Sequence, residues 1–377
     1  MPAGGIDPDE RCARGLGYNN ALFMSTELVL LRDGEELGLL LIEEPEAHLH
    51  PQLQDRVMRL LDQHANSPEQ GQRRVQVVIS THSPSLAAGA DIECMSLVHK
   101  GHIFRLAPEQ TKLAKTDYAY LRRFIDATKA NLFFARGVAI VEGPAEALLL
   151  PALAERCGRS FSKHGVSVVN VGDVGLYHYA RILQRADDKV KMPVPVACIT
   201  DRDVVPDVAA HYVPKKGKKR YDSDYDAAEL AALVKRKVDR AEGGSTIVCV
   251  SDHWTLEYDL ARYGCAELMF MAVQLAVRAK QKEERLTDEE ELKAMAEGHD
   301  TWEELVQQGH AADKLAAIVY QPLYEEKASK AVAAQYAAHL VSTGKYGDGE
   351  PLFTALPPYL QRALSHLTGV LPAAPAA

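Results

Sequence analysis

Nothing in this 377-residue chain supplies the loop G-x-x-x-x-G-K-[ST], so the backbone cradle and lysine that hold nucleotide phosphates are missing. Also absent is any apolar run near the roughly 18 residues of a membrane span. The N-terminus shows no basic-then-apolar targeting segment, and the expectation is a soluble, cytoplasmic protein with no membrane partner. Six cysteines (Cys12, Cys94, Cys157, Cys198, Cys249, Cys265) include no Cys-x-x-Cys pair, which argues against a zinc site and against a disulfide framework. Positive charge is not in excess either: the formal net charge of −9 excludes coating of nucleic acid by bulk electrostatics, though not binding through local basic patches. What remains, 47% hydrophobic and 25% charged residues, is ordinary globular protein with room for two or three domains.

Two segments near the start share one design. Leu39-Leu-Leu-Ile42 is an apolar run that delivers paired carboxylates, Glu43 and Glu44, to the end of a strand, and the text continues Pro-Glu-Ala-His-Leu-His50. Val75-Gln-Val-Val-Ile-Ser-Thr-His-Ser-Pro84 repeats the plan, with His82 at its polar tip. These segments resemble the Walker B strand and switch histidine of ABC-type ATPases, in the form used by RecF-like and OLD (overcoming lysogenisation defect) proteins. Upstream, Gly15-Leu-Gly-Tyr-Asn-Asn20 resembles the divergent signature segment of the same ATPases. The resemblance implies Glu43 near magnesium, Glu44 polarising the hydrolytic water and His82 as switch, so that ATP is a cofactor of the intact protein only. Walker B elsewhere ends in Asp-Glu; RecF-like relatives share the Glu-Glu form. Because each composite site needs the phosphate loop, a homodimer is an expectation for the full-length protein and not for this chain alone.

A second α/β pattern opens at Gly137-Val-Ala-Ile-Val-Glu-Gly-Pro-Ala-Glu146, an apolar strand that turns through Gly143-Pro144 into a helix with an acidic first turn. Further strands are expected around Ser167–Val171, Pro193–Asp203 and Ser245–Val250, alternating with helices, which implies a parallel sheet covered on both faces. Carboxylates then fall at strand ends: Glu142 and Glu146, Asp201 and Asp203, and Glu257. The carboxyl ends of parallel strands line one edge, where residues distant in sequence converge. Converging acids repel and take up protons unless a cation neutralises them, and oxygen donors select hard cations such as Mg²⁺ or Mn²⁺. Two ions about 3.5–4 Å apart can hold the attacking and leaving oxygens of a phosphodiester displacement.

Val-Glu-Gly at 141–143 followed by Asp-Arg-Asp at 201–203 resembles the Toprim domain of topoisomerases, primases and some nucleases. A partial ATPase followed by Toprim is the order of OLD-family proteins, and the resemblance spans about residues 10 to 345. It implies a partial ABC-type ATPase lobe, a Toprim Rossmann-like sheet and an α-helical appendage. The implied activity is metal-dependent cleavage of DNA, with Glu142, Glu146, Asp201, Asp203 and Glu257 as ligands of two ions. It also implies a basic group near the scissile phosphate, for which Lys330 is the candidate and Lys327 the rival. Val171-Gly-Asp-Val-Gly175 adds an acid, Asp173, as a further outer-shell group. The alternatives are a DNA-bound regulatory module driven by an ATPase, and topoisomerase or primase chemistry, for which no nucleophilic tyrosine or triphosphate motif is evident.

The expected domains are residues 1–105 (ATPase lobe), 106–135 (helical connector), 136–260 (Toprim), 261–345 (helices) and 346–377 (C-terminal tail, fraying after about Val370). Within the first, Glu27–Arg32 is expected as a strand. A capping box is expected at Thr287 and Glu290. Each motif also has a plainer explanation. Strand-end acids can be solvated loop residues, His82 a capping or buried histidine, and His48 and His50 part of the loop after Walker B rather than metal ligands. Lys215–Arg220 can be a mobile loop or a patch that tracks phosphates, and Trp254 reads as packing rather than base stacking.

Overall fold

The structure, a computed structural model, describes residues 15–33, 38–66, 74–172, 175–214, 220–283 and 285–372. Asp173 and Lys215–Lys219 therefore lie outside the described residues, as does Cys12. The chain divides into two compact units: residues 1–97 with 105–107 and 118–134, and residues 98–104 with 108–117 and 135–377. The stretch expected as a connector is thus split between them.

In the first unit, α1 (Leu16–Asp33) is followed by β1 (Leu39–Glu43), α2 (Pro51–Asn66), β2 (Gln76–Ser80) and α3 (Pro84–Gly89). The strand expected at Glu27–Arg32 is instead the last part of α1. Its apolar residues serve a helix because Met24 and Leu28 are buried four apart, with Ala21 and Leu31 packed against the same cluster, which is helical spacing. β1 and β2 run parallel in the register Leu39↔Gln76 to Glu43↔Ser80. Ile42 and Ile79 pack on the cluster of Met24, Leu28, Val57 and Leu61, while Leu41 and Val78 point to solvent.

β3 (Ser96–His99) and β4 (His102–Arg105) pair with each other, and α4 (Lys115–Phe124) follows. The second unit then alternates strand and helix: β5 (Gly137–Val141), α5 (Pro144–Arg156), α6 (Phe161–His164), β6 (Val166–Asn170), α7 (Leu176–Ile182), β7 (Val196–Thr200), α8 (Ala227–Ala241), β8 (Thr246–Val250) and α9 (Leu256–Arg262). Its four strands are parallel in the order β6-β5-β7-β8. Every residue of β5 and β7 is buried, as their unbroken apolar runs require of central parallel strands.

Six more helices follow: α10 (Ala266–Lys282), α11 (Asp288–Gln307), α12 (Ala312–Tyr324), α13 (Lys330–Ser342), α14 (Gly349–Ala355) and α15 (Pro358–Thr368). The Thr287–Glu290 capping box opens α11. These helices share one core with the sheet, since Ala139, Val141 and Ala197 belong to the same buried cluster as Leu268, Ala333 and Leu360. The expected tail from residue 346 is corrected by α14 and α15. Leu352, Phe353, Leu360, Ala363 and Leu364 are buried, and α15 packs on β5, β7 and β8. α15 opens on a proline, with Pro358 in its first turn. A side chain at Gly137 would come within 3.0 Å of the Leu367 carbonyl, so α15 lies against the start of β5.

Candidate functional site

The sheet register sets the acids on one edge. Val141 lies beside Ile199, and Ile199 beside Cys249, so the residues after β5, β7 and β8 emerge together. Glu142 follows β5 and accepts a hydrogen bond from the Thr200 hydroxyl at 2.9 Å. Glu146 sits in the first turn of α5, its carboxylate folded back toward Gly143, where an added Cβ would stand 2.9 Å from Glu146 Oε2. Asp201 follows β7 and accepts the Leu256 N–H at 3.1 Å. Asp203 is held in the left-handed region at φ 65°. Glu257, on α9, is only 2% exposed, and its Oε2 lies 3.1 Å from Lys330 Nζ at the start of α13.

The electrostatics show that these acids sense one another. Burial raises the Glu142 carboxyl above its ordinary value, with the charge of Asp203 adding to it. Burial also raises Glu146, followed by the charge of Glu257. Asp201 is lifted well above the usual carboxylate range by burial, and Glu257, Glu146 and Asp203 push it further against the opposing pull of Lys330. Burial alone would lower the Lys330 ammonium, but Glu257, then Tyr320 and Asp201, raise it far enough that it is charged at neutral pH. Glu257 Oε1 is buried with no hydrogen-bond partner, an oxygen free to accept a donor or a cation.

Two lysines already supply positive charge. Lys330 faces Glu257, while its rival Lys327 pairs with Glu325 at 2.6 Å instead. Lys237, on α8, donates to the Asp203 carboxylate and the Asp201 carbonyl, both at 2.6 Å. With the side chains so placed, no three acidic, histidine or cysteine groups among the described residues stand close enough to hold one ion. No local pattern in the sequence indicates that Lys237 reaches the Asp-Arg-Asp segment. The sequence reading also missed Asp259, fully buried two residues after Glu257, whose carboxyl is raised by burial to about 6. Tyr359 of α15 was missed too: its buried hydroxyl has no hydrogen-bond partner and lies within the electrostatic reach of Asp259, Asp201, Glu146 and Glu257. Trp254 is packing, as expected, with its ring centroid 4.5 Å from that of Tyr320.

In the first unit, Glu43 closes β1 and Glu44 follows at φ 47°, its N–H bonded to the Ser80 carbonyl at 2.8 Å. Glu44 Oε1 lies 3.9 Å from His82 Nε2. The tip of β2 is fixed by Glu46, whose Oε1 accepts the Thr81 hydroxyl at 2.7 Å and the His82 N–H at 2.8 Å. The signature-like segment lies across the loop after β1: a side chain at Gly17 would collide with the His48 carbonyl at 2.3 Å. A cavity of about 560 Å³ there is lined by Gly15, Gly17, Tyr18, His48, His50 and Arg56.

Comparison with known proteins gives the class first. Residues 12–87 match the AAA ATPase domain family, and residues 133–203 match the TOPRIM domain of proteins like the overcoming lysogenization defect protein. The chain therefore joins part of an ATPase lobe to a TOPRIM sheet and helices, an arrangement similar to that of OLD-like proteins. Among its relatives, endonuclease GajA of Bacillus cereus is 22% identical over 57% of this chain and 36% of that one. The OLD nuclease of Thermus scotoductus is 27% identical over 51% of this chain and 36% of that one. The chain thus spans about a third of the length of these curated relatives. Among solved structures, the C-terminal region of the Xanthomonas campestris OLD protein is 23% identical, covering 63% of this chain and 95% of that one, with a TM-score of 0.35. That of Burkholderia pseudomallei is 19% identical, covering 62% of this chain and 97% of that one, with a TM-score of 0.33. Among the described residues, no helix is long and apolar enough to cross a membrane.

Proposed function

We propose that this chain carries the catalytic centre of a divalent-metal-dependent DNA nuclease. The observation that supports it most is Glu257, a buried carboxylate with an unpartnered oxygen, set among Glu146 and Asp201, whose carboxyls are raised by burial and by the charge of Glu257. A buried cluster of acids is costly unless positive charge offsets it, and an all-oxygen donor set fits Mg²⁺ or Mn²⁺. In this reading Glu142, Glu146, Asp201, Asp203 and Glu257 hold two such ions. When bound, the ions supply Lewis-acid stabilisation of the oxygens exchanged at phosphorus. Thr200 orients Glu142 through its hydroxyl, and the Leu256 N–H orients Asp201. Lys330 keeps its proton and offers charge to the phosphoryl oxygens. DNA as the substrate is in keeping with relatives named as nucleases.

Glu43, Glu44 and His82 are proposed as part of an ATP site that needs a phosphate loop from elsewhere in the intact protein. ATP hydrolysis is not expected of this chain alone. A second reading, a DNA-bound regulatory module without turnover, draws support from one feature: Asp203 and Glu257 are already paired with Lys237 and Lys330. Cleavage of supercoiled plasmid with Mg²⁺, Mn²⁺, Ca²⁺ or chelator separates the two. Loss of supercoils with Mg²⁺ or Mn²⁺, abolished by Asp201→Ala and by Glu142→Ala, is the nuclease outcome. Intact plasmid under every condition, with folded protein that still shifts DNA in a gel, is the module outcome.

A further inference from the structure

The turn from Ser251 to Leu256 carries none of the expected ligands, yet the backbone of the Asp-Arg-Asp segment hangs from it. The Arg202 N–H is directed at Ser251 Oγ at 2.7 Å and at the Trp254 carbonyl at 3.2 Å. The Asp203 N–H reaches the same carbonyl at 3.4 Å, and the Ser251 hydroxyl donates to it at 2.9 Å. At the end of the turn, the Leu256 N–H holds Asp201 Oδ1, and Glu257 is the next residue. The distance between Glu257 and the Asp201–Asp203 segment is therefore fixed by the shape of this turn.

One side chain grips the turn from within α9. Asp259 has no exposed surface, and its two carboxylate oxygens accept the N–H groups of His253 at 3.1 Å and Trp254 at 3.3 Å. Without such an acceptor, two backbone N–H groups in the turn would lack these partners, and the Trp254 peptide could rotate its carbonyl away from Arg202 and Asp203. We propose that Asp259 is a positioning residue of the cation site: by clamping His253 and Trp254 it sets the spacing between Asp201–Asp203 and Glu257. The inference rests on the metal-site reading above and concerns a residue that touches neither the ions nor the substrate.

Asparagine at this position keeps the size of the side chain but offers one acceptor, and it turns an NH₂ donor toward a second N–H. Mn²⁺ binding to the full chain, followed by electron paramagnetic resonance, should weaken about 10–100-fold in Asp259→Asn, the range for loss of an outer-shell support, while circular dichroism stays native. Ser251→Ala removes the hydroxyl bridge between Arg202 and Trp254 but leaves Asp259 in place, and it should weaken Mn²⁺ binding in the same direction and by less. Unchanged Mn²⁺ affinity in folded Asp259→Asn overturns the inference. If that variant does not fold, unchanged affinity in Ser251→Ala overturns it instead. Wild-type protein that binds no Mn²⁺ overturns the metal-site reading beneath it, and that result is seen before any variant is compared.

Discussion

β5 and β7 are buried along their whole length, whereas β1 and β2 expose every second residue, including Leu39, Leu41 and Val78. Both pairs are parallel, and acids follow β1, β5 and β7, but α1 and α2 cover one face of β1 and β2, whereas β5 and β7 are covered on both. The contrast matters for chemistry. At the edge of β5 and β7, burial lifts the carboxyls of Glu142 and Asp201, so charge gathered there acts with little screening. Glu43 and Glu44 are exposed to water, which weakens whatever their charges do. Concentrated acids become useful where the protein, rather than solvent, sets their energy.

The largest test of this contrast is to remove acids from each edge. Asp201→Ala or Glu142→Ala should reduce metal-dependent plasmid cleavage by more than the roughly 100-fold that loss of an outer-shell partner costs. Glu43→Ala and Glu44→Ala should leave cleavage by this chain unchanged. Equal losses from both edges, measured as initial rates, would break the distinction. Packing gives the next effect. Leu150→Ala, at a position with no exposed surface, should cost about 2–5 kcal/mol in chemical denaturation. Leu41→Ser, at a position 68% exposed, should stay within about 0.5 kcal/mol.

How much of this was legible in the sequence follows from the same physics. β5, β7 and β8 could be read because an unbroken apolar run has few uses other than a buried strand, and the acids after them sit where such strands end. Leu28–Leu31 misled because four apolar residues in a row fit a strand as well as a helix, and only their packing with Met24 and Ala21 decides. α14 and α15 were hidden by Pro351, Pro357 and Pro358, which punctuate a tail and a helix start alike. The tie between Lys237 and Asp203 joins residues far apart in the chain, so it depends on where α8 lies beside β8 and no local pattern records it. Asp259 reads like any solvated acid until the turn it holds is seen.

A smaller effect tests the second unit away from its acids. Asp117 is buried and accepts the Ala114 N–H at 2.8 Å, His178 Nδ1 at 2.6 Å and Arg181 Nη1 at 3.2 Å. Burial alone would raise its carboxyl, but these donors together hold it below its ordinary value. The folded protein then binds fewer protons at this group than the unfolded chain does across the carboxylate range. Its stabilisation is complete above the ordinary carboxylate pKa and fades as pH falls through the lowered one. Asp117→Asn should cost about 1–3 kcal/mol at pH 7. The deficit should shrink toward pH 3, and a deficit that grows on acidification would refute the ion-pair account.

The smallest effect returns to the first unit. Ser83 caps α3 by accepting the Leu86 N–H at 3.4 Å, and its hydroxyl donates to Gln54 Oε1 at 2.7 Å. Gln54 in turn donates to the Leu49 carbonyl at 3.0 Å, so one hydroxyl ties α3 to α2 and to the loop after β1. Losing a cap costs about 1 kcal/mol, which is about a fivefold change in a local opening equilibrium. Both tryptophans, Trp254 and Trp302, belong to the second unit, so fluorescence does not report on this helix. Amide hydrogen exchange does: Ser83→Ala should speed exchange at the Ala87, Ala88 and Gly89 amides about fivefold while the tryptophan-detected melting midpoint stays put. A fall in that midpoint would mean that the half-exposed β1–β2 unit and the buried sheet unfold together, and the contrast between them would then be one of surface rather than of stability.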